Sequence, residues 1–403
     1  MINKRALATA VAASSLFMTG LAQAEDVKIG FLGGFTGGIE SLTPPIFEAA
    51  KLAVQQINEQ GGILKGQTLV MPSGDTTCSD ASAASNAADR MVNSEQVTAI
   101  VGALCTGATI AAANNAAVPG GVVMVSPAST APAVTELDDN DLVFRTVPSD
   151  AFQGEILAKL LLDKGIDAVA VTFVNNDYGR GLSDAFSAAF KAGGGEVAEN
   201  LAHEDNRADY RSELGSLSAS GVDTLVVLAY ADTSGQTVLR QAYESGMFTQ
   251  YVGADGMVGD SLIEAIGADV LDGMIATRPG SPDLPGTPIF NEAAEAAGFD
   301  PSAVFAAQAY DAAFLLALAI EQNGSAEREG LAEALRNVSS APGEVILPGE
   351  WEKAVELIAA GTEINYEGAS GSHDFDENGD VPGVVLEMVV ENGTFTSKGQ
   401  VDL

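Results

Sequence analysis

Over most of the chain, short apolar runs alternate with longer stretches in which apolar residues recur every third or fourth position. The runs predict strands at Val27–Leu32, Thr68–Met71, Thr98–Ala103, Val122–Val125, Ala168–Phe173, Thr224–Ala229, Tyr251–Gly253 and Gly273–Thr277. The amphipathic stretches predict helices at Pro45–Glu59, Ala81–Asn93, Gln153–Lys164, Gly181–Ala192, Tyr210–Ala219 and Gly235–Glu244. Alternation of this kind predicts an α/β fold of doubly wound parallel sheets with helices on both faces. The strands form two sets, before and after Phe144–Asp150, so that segment reads as the first crossing between two similar lobes.

After Thr277 the pattern changes. Proline-rich Arg278–Thr287 reads as loop, helical periodicity resumes to about Arg336, and a further helix is expected over Glu350–Ala360. Pro301–Ile320 is very apolar, yet Gln308 and Asp311 mark it as a buried helix and not a membrane span. Such a helix needs a surface already built, and a return to the first lobe is the economical solution. Val384–Val390 and Thr394–Lys398 flank Asn392–Gly393 and predict a hairpin belonging to the second lobe. The lobes are therefore expected at 25–148 plus 279–368 and at 149–278 plus 383–403, joined by three crossings, with 369–382 as a hinge or turn region.

Residues 1–24 stand apart. Lys4 and Arg5, the apolar stretch Ala6–Leu21 and the small-x-small run Ala22–Ala24 predict a secretory signal peptide, which places the mature chain in a periplasm. The formal charge is −36, or about −38 without those residues. Phosphate backbones and anionic membranes repel so acidic a chain, which excludes nucleic acid as a partner. Cys78 and Cys105 are an even count in an exported protein and predict one disulfide, tying the loop after the second strand to the loop holding Thr106. His203 and His373 lie in polar surroundings and read as surface residues.

Candidate chemistry concentrates in Ala99–Pro132. Two apolar runs end in Leu104–Gly107 and in Ser126–Thr130, separated by one helix. In a parallel sheet those loops lie side by side, at the crevice where open α/β sheets bind ligands. Thr106, Ser129 and Thr130 should converge there, offering hydroxyl and backbone donors to a small carboxylate. A hydroxyl at Thr106 also suits a helix N-cap, and both roles can hold together.

Several segments resemble one known family: Val27–Gly37 (VKIGFLGGFTG), Ala53–Ile63 (AVQQINEQGGI), Gly74–Asp80, Gly102–Thr109, Ser126–Pro132, Asn176–Gly181 (NDYGRG), Val252–Gly256 (VGADG) and Tyr366–Gly371 (YEGASG). In order and spacing they are similar to the leucine/isoleucine/valine-type periplasmic substrate-binding proteins of ABC importers. The resemblance implies a type I periplasmic binding fold whose two lobes close on a ligand. It implies that Thr106 and Thr130 bind an α-carboxylate, that the Ala128 carbonyl and Asp255 accept from an α-ammonium, and that Leu42, Tyr178 and Tyr230 line the cleft beside the Ala128–Thr130 loop. It also pairs Cys78 with Cys105. Leu42 stands where leucine-type binders carry an aromatic wall, and Asp255 is one methylene shorter than the usual Glu.

The implied protein is a monomeric, non-catalytic receptor that hands an amino-acid-like ligand to a membrane permease, needing no cofactor or metal. A secreted sensor for an amide or aromatic acid is the alternative. The glycine-rich Gly33–Gly38 does not match GxGxxG in register and reads as a tight turn. Asp374–Asp380 resembles the start of a calcium loop, but Val385 replaces the closing Glu, so it reads as a surface turn. Two histidines in polar surroundings support no Ser/His/Asp or Cys/His constellation.

Overall fold

The computed structural model describes residues 25–403; the expected signal peptide lies outside the described residues. The first sheet runs Leu69–Val70, Val27–Gly33, Ala99–Gly102, Val123–Ser126 and Val143–Arg145, all parallel, with Ser73–Asp75 pairing further along Val27–Gly33. Its central strands are buried on both faces, which is why they read as unbroken apolar runs and not as alternation. The order reverses between Val27–Gly33 and Ala99–Gly102, and a doubly wound sheet binds ligands outside the carboxyl ends at such a point.

The second sheet runs Thr394–Val401, Val384–Glu391, Ile275–Gly280, Gln250–Gly253, Thr224–Leu228, Ala168–Val174 and Glu196–His203. Its five inner-to-edge strands from Ile275–Gly280 onward are parallel, and the C-terminal hairpin adds to it antiparallel. The hairpin turn is Asn392–Gly393, with φ of 54° and 82°. That geometry matches the twist of the strands it joins and is open to Asn and Gly.

The apolar helix Ala306–Asn323 packs along Thr43–Glu59, on a face of the first sheet's lobe, and Ala306–Ile320 are all buried. It thus fills the place that its composition required. No helix among the described residues is long and apolar enough to cross a membrane.

Some expectations need correction. Arg278–Thr287 is not simply loop: the strand runs Ile275–Gly280, and a helix starts at Gly286. Pro279 is tolerated because the strand pairs with Gln250–Gly253 only at Ile275 and Ala276, so no ladder bond is lost on that side. The helix expected over Ala81–Asn93 stops at Asp89 and widens into a π-turn over Arg90–Glu95. Glu196–His203 and Val143–Arg145 are additional strands, both at sheet edges.

Both histidines are buried, not on the surface. His203 joins Thr172 Oγ1 through Nδ1 at 2.8 Å and Ser234 Oγ through Nε2 at 3.0 Å. Burial pulls it down to about 4, so it is neutral at pH 7. His373 Nε2 lies 3.3 Å from Ser370 Oγ and 3.5 Å from the Asp311 carboxylate. Asp311 in turn accepts from Tyr366 Oη at 2.7 Å and Ala369 N at 2.8 Å, tying down the segment that follows Tyr366.

The acidic run is a turn in which Asp376 Oδ1 accepts from the backbone N–H of Asn378 and Asp380 at 2.8 and 3.0 Å. Asp380 does more than solvate: it holds fully buried Arg145 in a two-pronged pair at 2.6 and 2.7 Å. No group of three potential metal-ligating side chains occurs among the described residues.

Candidate functional site

One wall of the cleft is built by the loops ending Ala99–Gly102 and Val123–Ser126. Gly102, at φ +116°, lets the chain turn where a β-carbon would lie 2.4 Å from the Leu32 carbonyl oxygen. The Cys78–Cys105 disulfide forms as expected, with Cα atoms 5.4 Å apart, and fixes the residue before Thr106. Ser126 Oγ donates to the Ala103 carbonyl at 2.6 Å and accepts from Ser129 N at 3.0 Å. Ser129 Oγ meets Thr109 Oγ1 at 2.6 Å and Ala103 O at 3.2 Å. Ala131 N donates to Thr106 Oγ1 at 3.4 Å. Arg145, clamped by Asp380, donates to the carbonyls of Ser129, Thr130 and Ala131 at 3.3, 2.8 and 3.1 Å. The two loops are thereby knitted into one rigid surface.

The opposite wall comes from the second sheet. Asn176 caps the helix Asp177–Ala192 by accepting from Gly179 N at 2.9 Å, which sets Tyr178 at the cleft. The rings of Tyr178 and Tyr230 stack with centroids 5.1 Å apart and planes 16° from parallel. Asp255 follows Gln250–Gly253, and its Oδ1 accepts from Gln153 Nε2 at 2.9 Å and Tyr178 Oη at 3.1 Å. Tyr178 Oη also accepts from Gly256 N at 3.2 Å.

Between these walls is a narrow pocket with a cavity volume of about 20 Å³. Thr106, Ala128, Tyr178, Tyr230 and Asp255 line it together with the apolar Leu42, Ile39, Ile46, Leu104 and Phe305. Six of the eight residues expected at the site therefore share one pocket. Ser129 and Thr130 do not line it. The Ser129 hydroxyl is occupied by Thr109 and the Ala103 carbonyl of the neighbouring loop, and Thr130 is fully buried with no well-formed hydrogen bond to Oγ1.

Asp150 is the main residue that sequence reasoning missed. Ser149 caps the helix Asp150–Asp163, and an acidic residue in a first helical turn is ordinary there, so nothing local distinguished it. In the fold it is fully buried, its N–H donates to the Thr130 carbonyl at 2.7 Å, and neither carboxylate oxygen has a partner. One turn along the same helix face, Gln153 also leaves Oε1 unpartnered while its amide holds Asp255. Burial, reinforced by the Asp255 charge and opposed by the neighbouring Thr130 hydroxyl and by Arg145, raises Asp150 well above the usual carboxylate range. Burial pushes Asp255 up to about 6 against the hydrogen bonds from Gln153 and Tyr178. Two buried carboxyl groups that feel each other's charge either keep a proton or take up a cation.

Phe305 was missed too. It holds φ +64° at the start of Ala306–Asn323, an uncommon conformation for a bulky residue, and lines the pocket. Strain of this kind gathers where side-chain placement matters.

The sequence profile of the periplasmic binding proteins matches residues 26–379. The chain belongs to that family. The leucine-, isoleucine-, valine-, threonine- and alanine-binding protein of Pseudomonas aeruginosa is 32% identical over 317 residues, which cover 78% of this chain and 83% of that protein. The Leu/Ile/Val-binding protein of Escherichia coli K12 is 29% identical, over 85% of this chain and 91% of its own length. Among solved structures, the leucine-binding protein LivK of Thermotoga maritima matches at a TM-score of 0.79 and 29% identity, covering 93% of this chain and 99% of its own. A benzoate-bound solute-binding protein of Rhodopseudomonas palustris, at 18% identity and a TM-score of 0.75, shares the fold. The architecture is thus the expected type I periplasmic binding fold, and these relatives are binding proteins.

Proposed function

We propose that this chain is a non-catalytic periplasmic receptor for a small amino acid with an apolar side chain, delivering it to the membrane permease of an ABC importer. Thr106, by hydroxyl and N–H, and the Ala128–Thr130 loop hold the α-carboxylate with neutral donors. Asp255 and the Ala128 carbonyl accept from the α-ammonium, and the buried Asp150 lies behind them. The side chain lies toward Leu42 and Phe305, beside the stacked tyrosines. The two lobes close on the ligand by bending at the crossings near Arg145–Ser149, Thr277–Ser281 and Gly368–Gly383, the short segments that join the two sheets.

The observation that carries this reading is the fully buried Asp255 lining the pocket together with the neutral Thr106 and Ala128, with the unpartnered carboxylate of Asp150 buried nearby. An ammonium satisfies Asp255. An aromatic acid or amide lacking an amine leaves Asp255 without a counter-charge, which weighs against the sensor reading. Relatives named for leucine, isoleucine and valine lend the same direction. Mass spectrometry of ligand carried through purification, followed by a thermal-shift screen over amino acids, amides and aromatic acids, tests it. Occupied protein is stabilised by RT ln(1 + [L]/Kd), about 4 kcal/mol at a thousandfold excess over Kd. A screen in which only amine-free acids shift the melt overturns the amino-acid reading.

A further inference from the structure

At the mouth of the cleft a second contact joins the two walls, separate from the ligand pocket. The helix Thr43–Glu59 opens with Pro44 and Pro45, and its cap position, Leu42, has no side chain able to accept a hydrogen bond. The N–H of Ser41, just ahead of it, instead donates to Asp232 Oδ2 at 2.8 Å. Asp232 belongs to the other wall, in the loop after Thr224–Leu228, and its Oδ1 accepts from Ser261 Oγ at 2.7 Å. Ser261 Oγ closes the ring by meeting Ser41 Oγ at 3.0 Å. Carboxylate, two hydroxyls and one amide thus form a cycle spanning the cleft.

The glycine-rich Gly33–Gly38 fits the same contact. A β-carbon at Gly38 would lie 2.9 Å from Tyr230 Cδ2, so this loop meets the opposite wall at a distance open to glycine. The first-wall loop is shaped to be approached, and Asp232 places a negative charge near the amino end of the helix.

We propose that Asp232 is a latch: from the second lobe it holds the backbone just ahead of the first-lobe helix, and with Ser41 and Ser261 keeps the cleft closed over the ligand. The latch rests on the lobe closure described above, yet touches no ligand group, so it acts on how long the closed state lasts and not on what is recognised. Asp232→Ala removes both acceptors, and Ser261→Ala removes the hydroxyl bridge.

Small-angle scattering of the ligand-free, full mature chain is the first test, because it needs no ligand identity. Asp232→Ala should give a larger radius of gyration than wild type, and Ser261→Ala a smaller increase in the same direction. With L-leucine as probe, stopped-flow kinetics should show dissociation about tenfold faster in Asp232→Ala, with association unchanged. A merely structural role for Asp232 inside its own lobe would lower the melting temperature and leave the radius unchanged, which overturns the latch. So would slower association with unaltered dissociation. If Asp232→Ala does not fold, the Ser261→Ala profile decides. If wild type does not bind L-leucine, that probe counts against the ligand reading, while the ligand-free radii still decide the latch.

Discussion

The two walls of the cleft solve the same packing problem with opposite chemistry. The first wall, around Thr106 and Ala128, is neutral at its surface and held rigid by hydrogen bonds spent inside it: Ser126, Ser129 and Arg145 all bond to backbone of the two loops. The second wall carries its charge at the surface of the pocket, with Asp255 aimed by Gln153 and Tyr178. The lesson is that a zwitterion can be divided between lobes so that each lobe alone is a poor binder. Neutral donors tolerate a carboxylate without needing it, whereas buried carboxylates remain costly until an ammonium arrives.

The largest expected effect breaks the charged wall. Breaking a buried ion pair from one side typically costs about 3–5 kcal/mol, so Asp255→Asn should weaken an amino acid by some hundredfold or more. It should barely alter binding of the desamino analogue. Calorimetric titration of both ligands against both proteins measures the difference, and equal losses would make Asp255 a loop-shaping residue.

The next effect concerns the unliganded protein and its pH dependence. Asp255 has an ordinary value of 3.8 and sits at about 6 in the fold, so the folded state binds its proton more tightly than the unfolded chain. The stability that protonation contributes is fully present below 3.8 and lost as pH rises through about 6. At pH 7 the ionised form therefore costs the empty protein on the order of 2–3 kcal/mol. Asp255→Asn should melt higher than wild type at pH 7 without ligand, and the gap should close as pH falls toward 4. Taking the difference between the two proteins cancels the opposing cost of protonating buried His203. A gap independent of pH would assign the titration elsewhere.

A smaller loss sharpens the neutral wall. Thr106→Val keeps the shape of the side chain and removes one donor to the carboxylate, which should cost roughly 1.5–3 kcal/mol of binding. The amino acid and its desamino analogue should lose equally, in contrast to Asp255→Asn. The smallest effect separates wall from scaffold: Ser129→Ala should lower stability by about 1 kcal/mol and leave ligand preference unchanged, since its hydroxyl bonds inward. A change in preference would place Ser129 at the ligand.

Much of the site was legible because strand ends and helix starts announce themselves locally. Val122–Val125 followed by a polar loop, or Tyr251–Gly253 followed by Asp255, carries its own position in the fold. What stayed hidden depended on partners far along the chain. Asp150 looks like any acidic first-turn residue until the fold removes it from water beside Asp255. Arg145 reads as part of a crossing, and its partner Asp380 as part of a solvated turn, until 235 residues of intervening chain bring them together.

The sequence by itself determined the alternation of buried strands and amphipathic helices, hence two doubly wound sheets, and the pairing of its only two cysteines. These follow from local periodicity and from counting, neither of which needs distant neighbours. Tertiary structure alone decided which polar groups lost water: His203, His373 and Asp150 became buried, and the edge strand Glu196–His203, covered too little to need an apolar run, became visible only through its ladder to Ala168–Val174. Desolvation is a property of the assembled surface and not of any segment, so burial, and with it the charge state on which ligand choice turns, is settled only when the chain has closed around it.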